Sequence, residues 1–348
     1  MHLYIRADAN GKIGTGHIMR CIALAQAWQD QGGEVTFISR CEIEALRQRI
    51  IDEGFDFISI GQSHPDPSDL GHTLEILEQL KTQNSKLKTW VVLDGYHFTT
   101  EYQQAIHAAG VCLLVIDDMN HLPYYHADIL LNQNINAPDL NYHCDEDTTL
   151  LLGTRYVLLR REFLKYRDFE RQIPDQAKNI LVTLGGADPD NVTLKVIEAL
   201  KLLNEPDITV RIIIGPANPQ QESLRNALAA VQFEAELLIN PPNMPELMAW
   251  ADMAVSAGGS TCWELAFMGL PSCLIIIAEN QIQVAQYLQE QGVARCFGWF
   301  STEMLSSGIG SLVQDKVSRL QMLHRMTDLL DFHGAHSVIE EMLRKKRL

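Results

Sequence analysis

The sequence has no long apolar run and comparatively few basic residues. Its longest uninterrupted apolar stretches, such as "CLLVI" and "CLIII", are far shorter than the roughly 20 residues of a membrane-spanning helix. Lysine and arginine number 28 against 44 acidic residues, and the formal net charge is -16. Because this charge repels polyanions, we expect the protein to bind neither nucleic acid nor a membrane surface.

A secretory signal and close-set cysteine pairs are also missing. The chain starts with "MHLYIRA", which has neither the basic n-region nor the apolar h-region of a signal peptide. The seven cysteines are scattered, and several lie within apolar runs. This pattern argues against a disulfide framework and suits a reducing compartment. We therefore expect a soluble, cytoplasmic protein.

Candidate metal ligands are equally scarce. His121 and His126 lie near each other, with Asp117 and Asp118 upstream, but a polar surface turn explains this cluster at least as well as a metal site. Elsewhere, no pair of cysteines and no Cys/His cluster recurs at the spacing of zinc ligands. We expect neither a metal nor an organic cofactor.

Short β-rich runs alternate with helical patterns in both halves of the chain. The first half contains "EVTFIS", "TWVVLDG" and "VCLLVIDD", and the second contains "ILVTLGG", "ITVRIIIG" and "PSCLIII". Strands that are separated by helices form mostly parallel sheets with helices on both faces. The sequence therefore predicts two doubly wound, Rossmann-like α/β domains.

A polar, arginine-rich stretch from Arg160 separates the two halves. We place an N-terminal domain at residues 1–155, a linker at 156–178 and a C-terminal domain at 179–348. The last helix either stays with the C-terminal domain or packs back on the N-terminal one. Ligands of such sheets bind at the carboxyl ends of the strands, so we expect a cleft between the domains and a site built from both.

The segment "GKIGTGHI" at residues 11–18 is a glycine-rich turn between a strand and a helix. It comes close to the G-x-x-x-x-G-K-[ST] loop of nucleoside triphosphatases, but His17 replaces the lysine and Ile18 replaces the hydroxyl residue. A dinucleotide fingerprint fails too, because Met19 stands where the third glycine belongs. The turn still offers backbone N–H groups and a helix dipole, which favour an anion or developing negative charge.

His17 falls in the first turn of the predicted helix, which starts at about Thr15. The apolar positions that follow recur at helical spacing and predict one buried side. They are Ile18, Cys21, Ile22, Ala25 and Trp28. Because His17 lies outside this stripe, we expect its ring to face the cleft. The partial positive charge of the helix start favours the neutral ring, which can accept a proton from water. A histidine that merely caps or packs against the loop is the alternative.

A second glycine turn, "VTLGGADPDN", ends the first strand of the C-terminal domain. Gly185 and Gly186 allow a close approach of another backbone or of a ligand before the next helix begins. The alternative needs no ligand, because a left-handed turn with Asp188 as the helix cap explains the same residues. By itself, this turn is weak support for a binding site.

The third glycine turn, in "SAGGSTCWELAFMGLP", is more informative. Ser260 or Thr261 caps the helix that follows the glycines, and Glu264 lies in its first turn. Such a helix start can hold phosphate oxygens, while the carboxylate can accept two hydroxyl groups of a ribose. The alternative is a capping box, since Thr261 and Glu264 have its three-residue spacing.

Together these motifs resemble a known family. The segments that carry the resemblance span nearly the whole chain, and they are "RADANGKIGTGHIMRC", "LDGY", "LLNQN", "YVLLRREF", "LGGADPDN", "SAGGSTCWELAFMGLP" and "DFHGAHSV". Their order and spacing resemble those of the UDP-2,4-diacetamido-2,4,6-trideoxy-β-L-altropyranose hydrolases, which serve the biosynthesis of pseudaminic acid, a bacterial nonulosonic acid. That family is similar to the glycosyltransferases of the GT-B fold, including the one that makes lipid II. The resemblance thus implies a GT-B-like fold, in which two Rossmann-like domains face each other across a cleft and grip a UDP-sugar.

The resemblance also implies an activity and a set of site residues. The expected reaction is an inverting hydrolysis at the anomeric carbon, which releases UDP and the free diacetamido sugar. His17 matches the histidine that activates water, Gly259, Ser260 and Thr261 match the phosphate turn, and Glu264 matches the ribose-binding carboxylate. The remaining positions are Asn243 and Met244 for uracil, Tyr96, Arg160, Asn280 and Gln281 for the sugar, and Arg6, Gly14, Thr15, Gly16, Gly185 and Gly186 for other parts of the substrate.

Several of these positions have structural alternatives. Arg160 can form a salt bridge in the linker, and Tyr96 can be a packed aromatic residue with a satisfied hydroxyl. Asn280 and Gln281 can simply start the next helix. Residues 144–147 and the tail after Phe300 match no motif, so the choice of sugar rests on the resemblance alone.

Three other functions stay open at this point. A glycosyltransferase of the same architecture would use the histidine to deprotonate an acceptor hydroxyl instead of water. A hydrolysing 2-epimerase is a further relative and would yield a product with altered configuration at C2. A non-catalytic nucleotide-sugar binding protein would keep the binding residues without any turnover.

Overall fold

The computed structural model of the chain describes residues 1–83, 89–186, 188–216, 218–298, 300–331 and 333–345. The described residues group into two compact units. The first comprises Met1–Arg161 together with the chain from His333 onward, and the second runs from Glu162 to just before His333. One residue of the "LGGADPDN" motif, Ala187, lies outside the described residues.

The first unit is built on a seven-stranded sheet in which every pair of neighbouring strands is parallel. Its strands are β1 (His2–Ala7), β2 (Glu34–Ser39), β3 (Asp56–Ser59), β4 (Thr89–Asp94), β5 (Cys112–Ile116), β6 (Ile129–Asn132) and β7 (Thr149–Leu152). They lie in the order β3-β2-β1-β4-β5-β6-β7. The helices that connect them are α1 (Gly16–Asp30), α2 (Glu44–Asp52), α3 (Pro67–Gln83) and α4 (Thr100–Ala108), with short 3-10 helices at Ala137–Asp139 and Thr154–Tyr156.

The second unit repeats this plan with six parallel strands in the order β10-β9-β8-β11-β12-β13. These strands are β8 (Asn179–Thr183), β9 (Thr209–Ile214), β10 (Glu234–Ile239), β11 (Met253–Ala257), β12 (Ser272–Ile275) and β13 (Arg295–Phe297). The helices are α5 (Arg161–Leu164), α6 (Val192–Lys201), α7 (Gln221–Leu228), α8 (Met244–Trp250), α9 (Thr261–Phe267), α10 (Ile282–Glu290), α11 (Thr302–Gln314) and α12 (Lys316–Thr327), with a 3-10 helix at Glu279–Gln281.

Alternation along the strands explains why the first sheet is covered on both faces. In β1, Leu3 and Ile5 belong to one apolar cluster, whereas Tyr4, between them, belongs to another. Successive side chains of a strand point to opposite faces, so the two clusters lie on opposite sides of the sheet. The near-continuous apolar strands are typical of parallel sheets buried on both sides. The predicted doubly wound α/β architecture is confirmed.

The final helix, α13 (Gly334–Arg344), belongs to the first unit and packs against α1. Its apolar residues, such as Val338 and Met342, join the same buried cluster as Ile18 of α1. The backbone of Val157 approaches α13 at Gly334, where a β-carbon would collide with it. The helix α1 is therefore enclosed by the sheet and by the end of the chain.

In both sheets the strand order reverses direction next to the first strand of the unit. This point lies between β1 and β4 in the first unit and between β8 and β11 in the second. Connections leave to opposite faces of the sheet there, which opens a crevice at the carboxyl ends of the two strands. Among the helices that the structure describes, none is both long and apolar enough to cross a lipid bilayer.

Candidate active site

The loop after β1 is a tight turn that Asn10 organises. The side-chain oxygen of Asn10 accepts hydrogen bonds from the backbone N–H groups of Lys12 and Ile13, both at 2.8 Å, and its carbonyl accepts one from Gly14 at 2.9 Å. Gly14 has a φ of 78°, which favours glycine. The helix α1 then begins without a side-chain cap from Thr15. The predicted glycine-rich turn into a helix is therefore present.

His17 and Asp94 meet at the switch point of the first sheet. His17 lies in the first turn of α1, Asp94 is the last residue of β4, and the distance from Nδ1 to Oδ1 is 2.7 Å. Burial alone would raise the pKa of Asp94, but the charge of Arg20 and the hydrogen bonds from Arg20 and His17 hold it well below its usual range. An ionised carboxylate only accepts, so Nδ1 of His17 carries the proton and donates it. In the neutral ring, Nε2 is left as a proton acceptor.

His17 bonds a carboxylate and is not packed in an apolar cluster, but it is nevertheless buried. The residue is 8% exposed, and most of α1, including the polar Arg20 and Gln26, is buried. His17 and Arg20 bond the carboxylates of Asp94 and Asp118 near the ends of β4 and β5, so the polar residues of α1 are buried as well as its apolar ones. The buried ring of His17 thus lies against the carboxylate of Asp94 and not against an apolar surface.

Arg20 connects this pair to a second carboxylate. It lies one turn after His17 on the same side of α1, and its Nε and Nη2 donate to the two oxygens of Asp94 at 2.7 and 2.6 Å. Its Nη1 donates to both oxygens of Asp118 at 2.7 and 2.9 Å. Although burial lowers the pKa of Arg20, the charges of Asp118 and Asp94 raise it well above its ordinary value. The guanidinium stays charged and links the ends of β4 and β5.

Tyr96 also belongs to the cluster of side chains around His17. Its hydroxyl donates to Asp118 at 2.6 Å, and its ring contacts the ring of His17 edge-on with 4.9 Å between centroids. On its other side lies His121, at 5.8 Å between centroids. Asn134 also holds Asp118 with a bond of 2.9 Å. The structure thus brings together two residues that the sequence singles out, His17 and Tyr96.

Three charged residues of this cluster are missing from the sequence-based site. Asp94 belongs to the "LDGY" motif, in which the resemblance implies a role for the tyrosine alone. Arg20 has the three-residue spacing from His17 that places both on one side of a helix. Asp118 follows a continuous apolar run. A charged residue at the carboxyl end of a buried parallel strand, or within two residues of it, is the signal that could have identified both carboxylates.

Arg6, in contrast, cannot contact a substrate in this structure. Its side chain is fully buried, and its guanidinium bonds Asp8 and, at 2.9 Å, Asp69 of α3. Burial would raise the pKa of Asp8, but hydrogen bonds from His97 and Arg6 hold it well below its usual range. Arg6 therefore ties the end of β1 to α3, and its assignment to the substrate is wrong. Arg160, which is assigned to the sugar, is buried directly before α5.

In the second unit, the turn after β8 combines two structural roles. Gly185 has a φ of 91°, and the backbone of Gly186 lies so near Gly215 that a β-carbon there would collide with it. Asp188 accepts hydrogen bonds from the N–H groups of Val192 and Thr193, both at 2.8 Å. Asp188 therefore caps α6, as the structural alternative for this turn predicts.

The turn after β11 lies on the neighbouring strand, at the switch point of the second sheet. The helix α9 begins at Thr261, and its N-cap residue, Ser260, makes no side-chain capping bond. Thr261 is thus the first helical residue and not the N-cap residue, which is the position that a capping box with Glu264 requires. Glu264 is partly exposed in the first turn of α9. The capping explanation for "GGSTCWE" is therefore wrong.

Gln281 supports this glycine turn from the next loop. It is buried, its side-chain oxygen accepts from the N–H of Ile277 at 3.0 Å, and its amide nitrogen lies close to Gly259. A β-carbon on Gly258 would lie 3.3 Å from the β-carbon of Gln281. Asn280 precedes it in the 3-10 helix after β12. The remaining predicted positions, Asn243 and Met244, lie at the start of α8, after the edge strand β10.

Comparison with known proteins gives the fold. Residues 179–338 match the model of the glycosyltransferase family 28 C-terminal domain. Among solved structures, MurG of Acinetobacter baumannii covers 99% of each chain with a TM-score of 0.66 and 15% identity. The UDP-bound MnaA of Staphylococcus aureus covers 98% of this chain and 95% of that one, with a TM-score of 0.66 and 13% identity.

Curated proteins are similar over most of the chain at low identity. An uncharacterized protein of Methanocaldococcus jannaschii is 27% identical over 81% of this chain. The matched region makes up 57% of that protein, so this chain spans little more than half of the relative's length. The spore coat polysaccharide biosynthesis protein SpsG of Bacillus subtilis is 26% identical, covering 94% of this chain and 89% of that protein. The UDP-2,4-diacetamido-2,4,6-trideoxy-β-L-altropyranose hydrolase of Campylobacter jejuni is 22% identical, covering 84% and 97%. The chain has a GT-B-like α/β fold with two Rossmann-like domains, as the sequence predicts.

Proposed function

We propose that this protein is a UDP-sugar hydrolase whose substrate is UDP-2,4-diacetamido-2,4,6-trideoxy-β-L-altropyranose. The observation that carries the proposal is the bond between Nδ1 of His17 and the ionised Asp94, which leaves Nε2 of the neutral ring as a base. The name of the Campylobacter jejuni relative supports the choice of substrate. The motifs from "GTGHIMRC" to "SAGGSTCWE" support it as well.

In the proposed reaction, one bond forms and one breaks at the anomeric carbon. Nε2 of His17 takes a proton from water as the water oxygen attacks C1, and the bond from C1 to the phosphate oxygen breaks. UDP leaves with the electron pair, and the configuration at C1 inverts because attack and departure occur on opposite faces. Backbone N–H groups at helix starts stabilise the charge of the leaving diphosphate. The proposal requires no metal and no organic cofactor.

The nucleotide is assigned to the second unit. Gly259, Ser260 and Thr261 bind the phosphates in this proposal, with Gly185 and Gly186 on the neighbouring strand, and Glu264 accepts the ribose hydroxyls. Asn243 and Met244 meet uracil. The match of this region to a glycosyltransferase domain supports this assignment.

The sugar is assigned to residues around His17. Tyr96 contacts the ring of His17, and Gly14, Thr15 and Gly16 form the turn that leads to it. Arg160, Asn280 and Gln281 complete the sugar contacts in the proposal. Gln281 would contribute its amide nitrogen, because its side-chain oxygen already accepts from Ile277.

A glycosyltransferase is the second candidate, because residues 179–338 match a glycosyltransferase domain. In that reaction, His17 would deprotonate an acceptor hydroxyl instead of water. The experiment that separates the two follows a panel of UDP-linked acetamido and diacetamido sugars by NMR with no acceptor added. Hydrolysis predicts release of UDP and an inverted anomeric product.

The same spectra test the remaining functions. UDP release that stays negligible until an acceptor is supplied identifies a transferase. A changed configuration at C2 identifies a 2-epimerase. Binding of UDP-sugars in calorimetry without turnover of any of them identifies a non-catalytic binding protein.

A further inference from the structure

The carboxylate beside His17 poses an electrostatic problem for a general base. Asp94 is buried and accepts from Nδ1 of His17 at 2.7 Å. A negative charge at this distance favours the imidazolium form, which has no lone pair left to take a proton from water. The partial positive charge of the start of α1 acts in the opposite direction, but it is weaker than a full charge. A full positive charge near the ring would offset the charge of Asp94 and favour the neutral imidazole.

Arg20 supplies that charge at the same oxygen. Its Nη2 lies 2.6 Å from Oδ1 of Asp94, the atom that also accepts from His17, and 3.2 Å from Nδ1 of His17. The guanidinium cannot turn away, because Asp118 holds Nη1 with two hydrogen bonds and is itself held by Tyr96 and Asn134. A fixed positive charge so close to the ring opposes the arrival of a second proton.

We propose that Arg20 is a positioning residue that sets the pH at which His17 becomes available as a base, by offsetting the charge of Asp94 and aligning its carboxylate with Nδ1. This inference rests on the proposed role of His17. It assigns to Arg20 a function beyond bridging two strands, and it predicts opposite effects for the loss of Arg20 and the loss of Asp94.

The other groups that face His17 in the described structure do not supply this charge. The thiol of Cys21 lies 3.4 Å from Oδ2 of Asp94, and burial raises its pKa well above the usual value, so it stays neutral. Tyr96 contacts the ring with its edge and donates its proton to Asp118. His121 contacts Tyr96 at 5.8 Å between ring centroids, and although its bond to Asp117 at 2.9 Å raises its pKa, the carboxylate of Asp117 offsets the positive charge.

The test is a residue-specific NMR titration of the His17 ring in the full chain without substrate, together with kcat/KM against pH. Arg20→Met and Arg20→Gln remove the charge in two ways, so that one well-folded variant suffices. In either, the charge change of His17 and the acidic limb of kcat/KM should move to higher pH, by about one unit. Asp94→Asn should move the charge change of His17 to lower pH.

Arg161→Met is the matched control. Arg161 bonds Asp30 at the other end of α1, at 2.8 Å, and its loss should leave the titration of His17 unchanged. The inference is overturned if a folded Arg20 variant titrates like the wild type, or if the Arg20 and Asp94 variants move in the same direction. If the NMR shifts occur as expected but no UDP-sugar is hydrolysed, the proposed function fails while the electrostatic role of Arg20 stands.

Discussion

Asp94 and His17 are 77 residues apart in the chain, and the carboxylate of one lies 2.7 Å from the imidazole of the other. The bond fixes which ring nitrogen carries the proton and which one accepts. Because β1 and β4 are neighbours, the end of one strand and the helix that follows the other meet where ligands of such sheets bind.

Replacing Asp94 with Asn should lower kcat by about a hundredfold or more, because the amide no longer selects the productive tautomer of His17. The affinity for UDP should change little, since the nucleotide is assigned to the second unit. Steady-state kinetics and calorimetry with UDP measure the two effects separately. A variant with nearly normal kcat would show that the carboxylate has no part in turnover.

Tyr96→Phe should slow kcat by about tenfold, through the loss of a hydrogen bond to the charged Asp118. The edge contact of the ring with His17 remains in this variant. Tyr124→Phe provides the control, because the hydroxyl of Tyr124 also bonds an aspartate, Asp145 at 3.0 Å, outside the cluster around His17. Equal losses in the two variants would contradict a specific role of Tyr96.

Glu264→Gln should weaken the binding of UDP by about tenfold or more, since a hydrogen bond to a charged group contributes about 1.5–3 kcal/mol. Glu222→Gln is the control, because Glu222 is likewise an acidic residue in the first turn of a helix, α7, and is exposed. Calorimetry compares UDP with uracil, which lacks the ribose. If Glu264 binds the ribose, the variant loses affinity for UDP and not for uracil.

His121 should make the stability of the first unit depend on pH. Its hydrogen bond to Asp117 raises its pKa, and burial only partly opposes this. A raised pKa in the folded state means that the stabilisation is complete below the ordinary value of 6.5 and is lost as pH rises through the folded value. His121→Asn should therefore lower Tm more at about pH 5.5 than at about pH 8.5. Thermal unfolding at both pH values measures the difference, and a larger effect at the higher pH would contradict the assignment.

The fold can be predicted from the sequence, but only part of the candidate site can. The alternation of apolar strands and amphipathic helices leads to two doubly wound sheets, because parallel strands joined by helices have few other solutions. The turn at Gly14 and the position of His17 at a helix start follow from local patterns alone. These are features in which nearby residues decide the structure.

The cluster around His17 depends instead on contacts between distant residues. Arg20 meets Asp94 and Asp118, which lie 74 and 98 residues further along the chain, and only the order of β1, β4 and β5 brings them together. Arg6 is the opposite case, a residue that the sequence assigns to the substrate although its side chain is buried in the structure. Its motif resembles a binding segment, but the partner that buries it, Asp69, lies on α3, 63 residues away. The return of α13, whose apolar residues pack in the same cluster as Ile18 of α1, is likewise invisible to local periodicity.

The most direct test of the account is the kcat of a His17→Gln variant on UDP-2,4-diacetamido-2,4,6-trideoxy-β-L-altropyranose, followed by NMR release of UDP. If His17 is the base, kcat falls by about 10²–10⁴-fold while calorimetry still detects binding of UDP. Turnover close to that of the wild-type protein would contradict the account, because the hydrogen bond between Asp94 and His17 would then have no role in catalysis.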